Sequence, residues 1–201
     1  MKMLFAAPSL LLCLALGMAF ESAQGRPQAA ASDHPRYANG KLVRPQGYRE
    51  WVYLSSGLGM SYSATANDNP LFTNVFVPQW AYRQFLASGK WPEQTMFVLE
   101  ERASETKGSI NKGGRFQTDL AGLAVEVKDQ AEFPDNWAYF SFARDAQQAA
   151  AKPKESCWEC HDSNAAVEHS FVQFYPTLKP VAEKFGTYRK EANTIATATE
   201  H

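Results

Sequence analysis

The sequence predicts an α+β protein: a mainly antiparallel β-sheet with a few helices, the last of which carries the chemistry. Three observations predict it. Five short segments in the middle of the chain have strand patterning, either alternation of apolar and polar residues or short runs apolar on both faces. One stretch between them, from Pro78 to about Gly89, has a helical apolar face instead. After residue 145 the period changes, and a Cys-x-x-Cys-His run stands near the carboxyl end. No internal repeat is present.

At the amino end, Lys2 precedes the apolar run Met3 to Phe20, and small and polar residues follow from Glu21 to Gly25. That is the order of a secretory signal peptide, expected over residues 1–25. An uncleaved anchor helix is the alternative, since about 20 apolar residues span a bilayer; Pro8 and Glu21 count against it. A lipidated Cys13 is disfavoured, because Leu12 stands where a small residue is needed. Residues 26–40, rich in Ala, Pro, Gln and Ser, read as a flexible arm. One domain is expected over 41–190, and a disordered tail over 191–201.

Within the domain, Arg49 to Leu54 is the first expected strand and Phe72 to Val77 the second. Pro78 opens a helix bearing Trp80, Tyr82, Phe85 and Leu86, closed by Gly89. Thr95 to Arg102 is the third strand, with Phe97 and Leu99 on one face and Met96 on the other. The stretch from Thr106 to Gly114 is a loop. In the fourth strand, Leu123, Val125 and Val127 alternate with Ala124, Glu126 and Lys128. Trp137 to Phe142 is a fifth, apolar on both faces and therefore buried. Glu155 to about His169 is expected to form the helix that carries the cysteines. Phe171, Phe174, Tyr175, Leu178 and Val181 close the apolar pattern.

The composition includes 13 Phe, 8 Tyr and 5 Trp, enough to line a large apolar pocket. A formal net charge of -1 gives no electrostatic case for nucleic acid or for an anionic membrane surface.

Cys157-Trp158-Glu159-Cys160-His161 is the attachment signature of a c-type haem. Positions i, i+3 and i+4 share one helical face, so both thiols meet the two vinyl groups and His161 is directed at the iron. One covalent haem c, with His161 as the metal ligand, is the expected cofactor. A redox dithiol followed by a chance histidine would be expected earlier in the chain. A zinc site needs more nitrogen or sulfur ligands than remain. For the sixth iron position, an electron carrier uses Met or His. His34 lies in the arm, His201 is the last residue, and His169 is too near the attachment helix. Met96 points away from the Phe97 face. Met60, after Gly57-Leu58-Gly59, can reach the iron, but an ordinary loop methionine is the simpler expectation. The sixth position therefore reads as open.

Several segments now combine. Tyr48 to Val52, Gly89 to Pro92 leading into Thr95 to Glu100, Gly122 to Asp129, Asn136 to Phe140, the haem motif, and Phe171 to Pro176 occur in an order and spacing that resemble the cytochrome P-460 superfamily. The resemblance covers about Leu42 to Phe185. It implies a β-rich fold that usually forms a homodimer, with two functional branches. In the cytochromes P-460 proper, a lysine cross-linked to the haem stands where this chain has Leu99, and a proton-accepting carboxylate stands where it has Ala124. Both losses place the chain beside the β-type cytochromes c-prime, whose pentacoordinate haem lies under an apolar cap, often phenylalanine, and binds NO and CO.

The expected function is thus a periplasmic c-type cytochrome with a high-spin haem that binds NO and CO, for nitric oxide capture or detoxification, served by a redox partner that the sequence does not name. A P-460-like oxidase of hydroxylamine or nitric oxide is one alternative. A low-spin electron-transfer cytochrome using Met60 is the other. Phe97 is the first expected cap residue, with Phe72 and Phe76 next, and Arg49 is placed against a haem propionate or in a surface salt bridge. Glu126, on Ala124's face, is expected to be a solvated carboxylate or, less simply, a substitute proton acceptor.

Overall fold

The computed structural model describes residues 32–61 and 67–193, and all of them lie within one unit, Ala31–His201. The expected signal peptide, residues 26–31 of the expected arm and the last eight residues lie outside them. Among the described residues no helix is long and apolar enough to cross a membrane.

The centre is a five-stranded antiparallel sheet built from β3 (Val52–Leu58), β4 (Phe72–Val77), β5 (Met96–Glu105), β6 (Phe116–Lys128) and β7 (Trp137–Phe142), hydrogen-bonded in sequence order. The expected α+β class with a mainly antiparallel sheet is the one observed. A second, three-stranded sheet has the order β1 (Tyr37–Ala38), β2 (Lys41–Val43), β8 (Gln148–Ala149). The expected arm is therefore corrected: Tyr37 and Ala38 pair with Leu42 and Lys41, and the His34 ring stacks on Trp80 at 4.6 Å. The first expected strand also shifts, since Tyr48–Glu50 form a 3-10 turn before β3.

Strand alternation gives the large sheet two unlike faces. On one, Met96, Val98, Leu123, Val125, Val127, Ala138, Phe140 and Phe142 pack with Leu42, Tyr48 and Ala149. Met96, 1 % exposed, belongs to this core as its strand parity requires. On the other, Val75, Val77, Phe97, Trp137 and Tyr139 pack against α1 (Gln79–Ser88) and α3 (Lys179–Phe185). Helix α1 follows Pro78 and ends on Gly89, whose φ of 67° is the left-handed conformation that glycine takes without a Cβ penalty.

The two helices leave the lower part of that face open. In antiparallel register, Val77, Phe97, Glu126 and Tyr139 align across β4 to β7 or through their shared parity. The next row is Ser55, Val75, Leu99, Ala124 and Ser141, and the one beyond is Gly57, Thr73, Glu101 and Gly122. Val75 is buried in the core on this face and Leu99 packs at its edge, while Ala124 is half-buried and Ser141 exposed, so this second row runs from the core into a partly open apolar strip.

Candidate functional site

After Pro153, Lys154–Ser156 make one 3-10 turn, and α2 (Trp158–Asn164) then carries Cys160 and His161. Cys157 is its N-cap. The expected helix to His169 stops early because Ala165 is extended, with φ −76° and ψ 142°. The His161 amide donates to the Cys157 carbonyl at 3.0 Å, the one-turn link that brings positions 157, 160 and 161 to one side. Both cysteines are free thiols and half-buried.

The histidine is oriented by the loop after its helix. His161 Nδ1–H donates to the His169 carbonyl at 2.8 Å, which puts the ring proton on Nδ1 and leaves Nε2 as the lone-pair atom. That loop is itself held in place. Trp91 Nε1–H donates to Ser170 Oγ at 2.7 Å, and Lys128 Nζ reaches Glu168 Oε2 at 2.9 Å. The His161 ring lies 4.4 Å from Tyr139 and 4.5 Å from Phe171. Burial pushes its pKa down, but the Glu126 carboxylate and the His169 carbonyl outweigh burial and the net direction is up. His169 differs. Burial, the largest influence, holds its pKa down to about 4, and its Nδ1 sits 3.2 Å from the Tyr139 hydroxyl.

Two free thiols at i and i+3, and an imidazole whose Nδ1 is committed to a carbonyl, fit a haem held by two thioethers and one Nε2 bond. Among the described residues no group of three or more His, Cys, Asp and Glu is arranged to hold a bare metal ion.

Each residue expected from sequence has a definite place. Leu99 and Ala124 are direct cross-strand partners on the open strip. Phe97 shares their face but is not a cap over the strip. It pairs with Glu126, level with His161, and is 3 % exposed among Trp91, Trp137 and Tyr175. Phe72 and Phe76 stand on the opposite face, because Phe76 pairs with Val98 and Phe72 with Arg102. Phe76 meets Tyr48 and Tyr53 edge-on there. Arg49 is also on that side and serves a salt bridge: its guanidinium binds Glu100, which is 2 % exposed and accepts from Tyr48 Oη at 3.0 Å. Glu126 is neither solvated nor over the strip. Its side chain is 11 % exposed, with Oε1 3.6 Å from His161 Nδ1.

Sequence reasoning missed Glu101 and Gly122. Glu101 lies two residues after Leu99, so strand parity alone places it on the strip's face. A Cβ on Gly122 would stand 2.5 Å from Glu101 Oε2, so the carboxylate lies where only glycine leaves room. At the sheet edge the Met60 thioether lies over Gly57 in the same row, while its side is 53 % exposed. The carbonyl of His169 had no signal in the sequence, since any residue supplies one.

The family model described as Cytochrome P460 matches residues 45–172, more than half of the chain. No curated protein matches it.

Proposed function

The chain belongs to the Cytochrome P460 family, whose cofactor is a c-type haem, and from that premise we propose an exported, periplasmic haem protein of the β-type c-prime branch that binds NO and CO. Cys157 and Cys160 would hold the haem through thioethers and His161 Nε2 would bind its iron; the group would supply a ligand-accepting iron. The observation that carries the proposal is the half-buried apolar pair Leu99 and Ala124, one row from the Glu126–Tyr139 level at which His161 meets the sheet. Leu99 has no amine to cross-link. Ala124 has no carboxylate to accept a proton, which oxidation of hydroxylamine requires. Neither side chain donates a hydrogen bond, so a ligand that depends on one gains nothing here, whereas NO and CO need none.

One observation favours a second reading. Glu101, in the row beyond Ala124 and cradled by Gly122, places a carboxylate on the same face. A P-460-like oxidase would use it as the proton acceptor that Ala124 cannot be.

The optical spectrum of the reduced protein, with and without CO and NO, tests the proposal. Broad high-spin bands and binding of both gases are expected. Failure to bind both overturns it, and sharp low-spin bands would assign the sixth position to Met60. Hydroxylamine oxidation that disappears in Glu101→Gln would establish the second reading instead.

A further inference from the structure

Among the described residues Glu126 is the one carboxylate within ion-pair distance of the proposed iron ligand, and its surroundings do not explain it as a stabilising group. It accepts from Tyr139 Oη at 3.4 Å, a long hydrogen bond, and among the described residues no Lys or Arg pairs with it. A carboxylate 11 % exposed without a cationic partner is costly to bury. What it faces is the N–H edge of His161, with Oε1 3.6 Å from Nδ1.

We infer that Glu126 is a positioning residue that acts through His161, raising the electron donation of the imidazole and lowering the reduction potential of the iron bound to it. The inference rests on the proposed ligation by His161. The hydrogen bond from Nδ1 goes to the His169 carbonyl at 2.8 Å, so the carboxylate acts by charge. A negative charge this close stabilises positive character on the ring, and a partly buried site screens it less than water does. More basic imidazole binds iron more strongly, as outer partners of metal-bound histidines generally ensure. Ferric iron, with one more positive charge, gains more than ferrous. The register supports a fixed placement: Glu126 stands between Phe97 on β5 and Tyr139 on β7, so one wall is a buried ring and the other is its hydroxyl partner.

The test compares holoprotein of wild type, Glu126→Gln and Glu126→Asp. Glu126→Gln removes the charge and keeps the shape; its reduction potential should rise, and the iron–histidine stretching frequency of the reduced protein should fall. Glu126→Asp keeps the charge and should stay closer to wild type on both readouts. If Glu126→Gln folds by circular dichroism and both readouts remain at wild-type values, or if the Asp variant shifts as far as Gln, the inference is overturned. Should Glu126→Gln fail to fold, Glu126→Met, uncharged and similar in size, decides: a raised potential supports the inference, and a potential and stretching frequency at wild-type values overturn it. Failure of the underlying ligation looks different, since the wild-type protein would then show no iron–histidine band.

Discussion

Replacing Phe97 by alanine separates a core ring from a ligand gate. Phe97 is 3 % exposed, meets Trp91 edge-on with centroids 4.7 Å apart, and lies parallel to Trp137 and Tyr175 at 6.4 Å. Truncating a phenylalanine in such a site costs about 3–5 kcal/mol, the lost transfer energy plus the cavity left behind. The nearness of three large aromatic rings favours the upper half of that range. For a chain of this size each kcal/mol lowers Tm by roughly 2–4 °C, so the holoprotein should melt about 8–20 °C lower. Urea unfolding followed by circular dichroism measures the first quantity, and flash photolysis of the CO complex of the folded variant measures ligand entry. Leu99→Ala is the comparison. Leu99 is half-buried on the open strip, so it should cost less stability and change CO association more. A Phe97→Ala protein that loses under about 1 kcal/mol yet binds CO markedly faster would refute the core assignment.

Changing both Cys157 and Cys160 to alanine should abolish covalent haem, seen as loss of haem staining after denaturation. Peptide mapping of the wild type should find two thioethers and no third haem bond, because Leu99 has no amine. Glu100→Gln should cost about 1.5–3 kcal/mol by urea unfolding, the range for hydrogen bonds to a charged group, since Arg49 keeps half of its side chain in water. Burial raises the Glu100 pKa, but the bonds from Arg49 and Tyr48 outweigh it and the net direction is down. A carboxyl lowered by folding stabilises above its unfolded pKa of about 4.3 and loses that contribution as pH falls through its folded value. Wild type should therefore lose more stability than Glu100→Gln on acidification below about pH 5. Gly89→Ala should destabilise by about 1–2 kcal/mol or more. Its φ is 67° and a Cβ would stand 2.7 Å from Phe185 Cβ, and an unchanged urea midpoint would contradict that.

The strands were legible where one face is buried. Phe72–Val77 and Trp137–Phe142 are observed with the expected ends, because the apolar pattern stops where the core stops. β6 was read from Leu123, yet it begins at Phe116. Its first residues are largely exposed and held by backbone pairing to Ser104 and Glu105, which leaves no hydrophobic trace. β3 likewise runs on through Ser55, Ser56 and Gly57. Of the site, the Cys-x-x-Cys-His run was legible because its spacing is itself the chemistry. The shared face of Phe97 and Leu99 was legible too, as strand parity. What parity does not tell is how far along that face the helices reach, so Phe97 is buried in the core while Leu99, two residues on, is only half-buried at its edge. Glu126 was misread for the same reason, since its burial comes from α2 and Tyr139 rather than from its own strand.

The order of the large sheet bears on how the chain assembles. Each of its strands pairs with its neighbour in sequence, from β3 to β7. Closing such short connections costs little chain entropy, and contacts of this kind form early. The residues that build the sheet all precede Cys157, so nothing in its pairing waits for the haem motif. During that interval Val75, Leu99 and Ala124 face water as an apolar stripe, an invitation to association with another unfinished chain. Glu101 and Glu126 stand on either side of the stripe in the register, and their charges serve as gatekeepers against it.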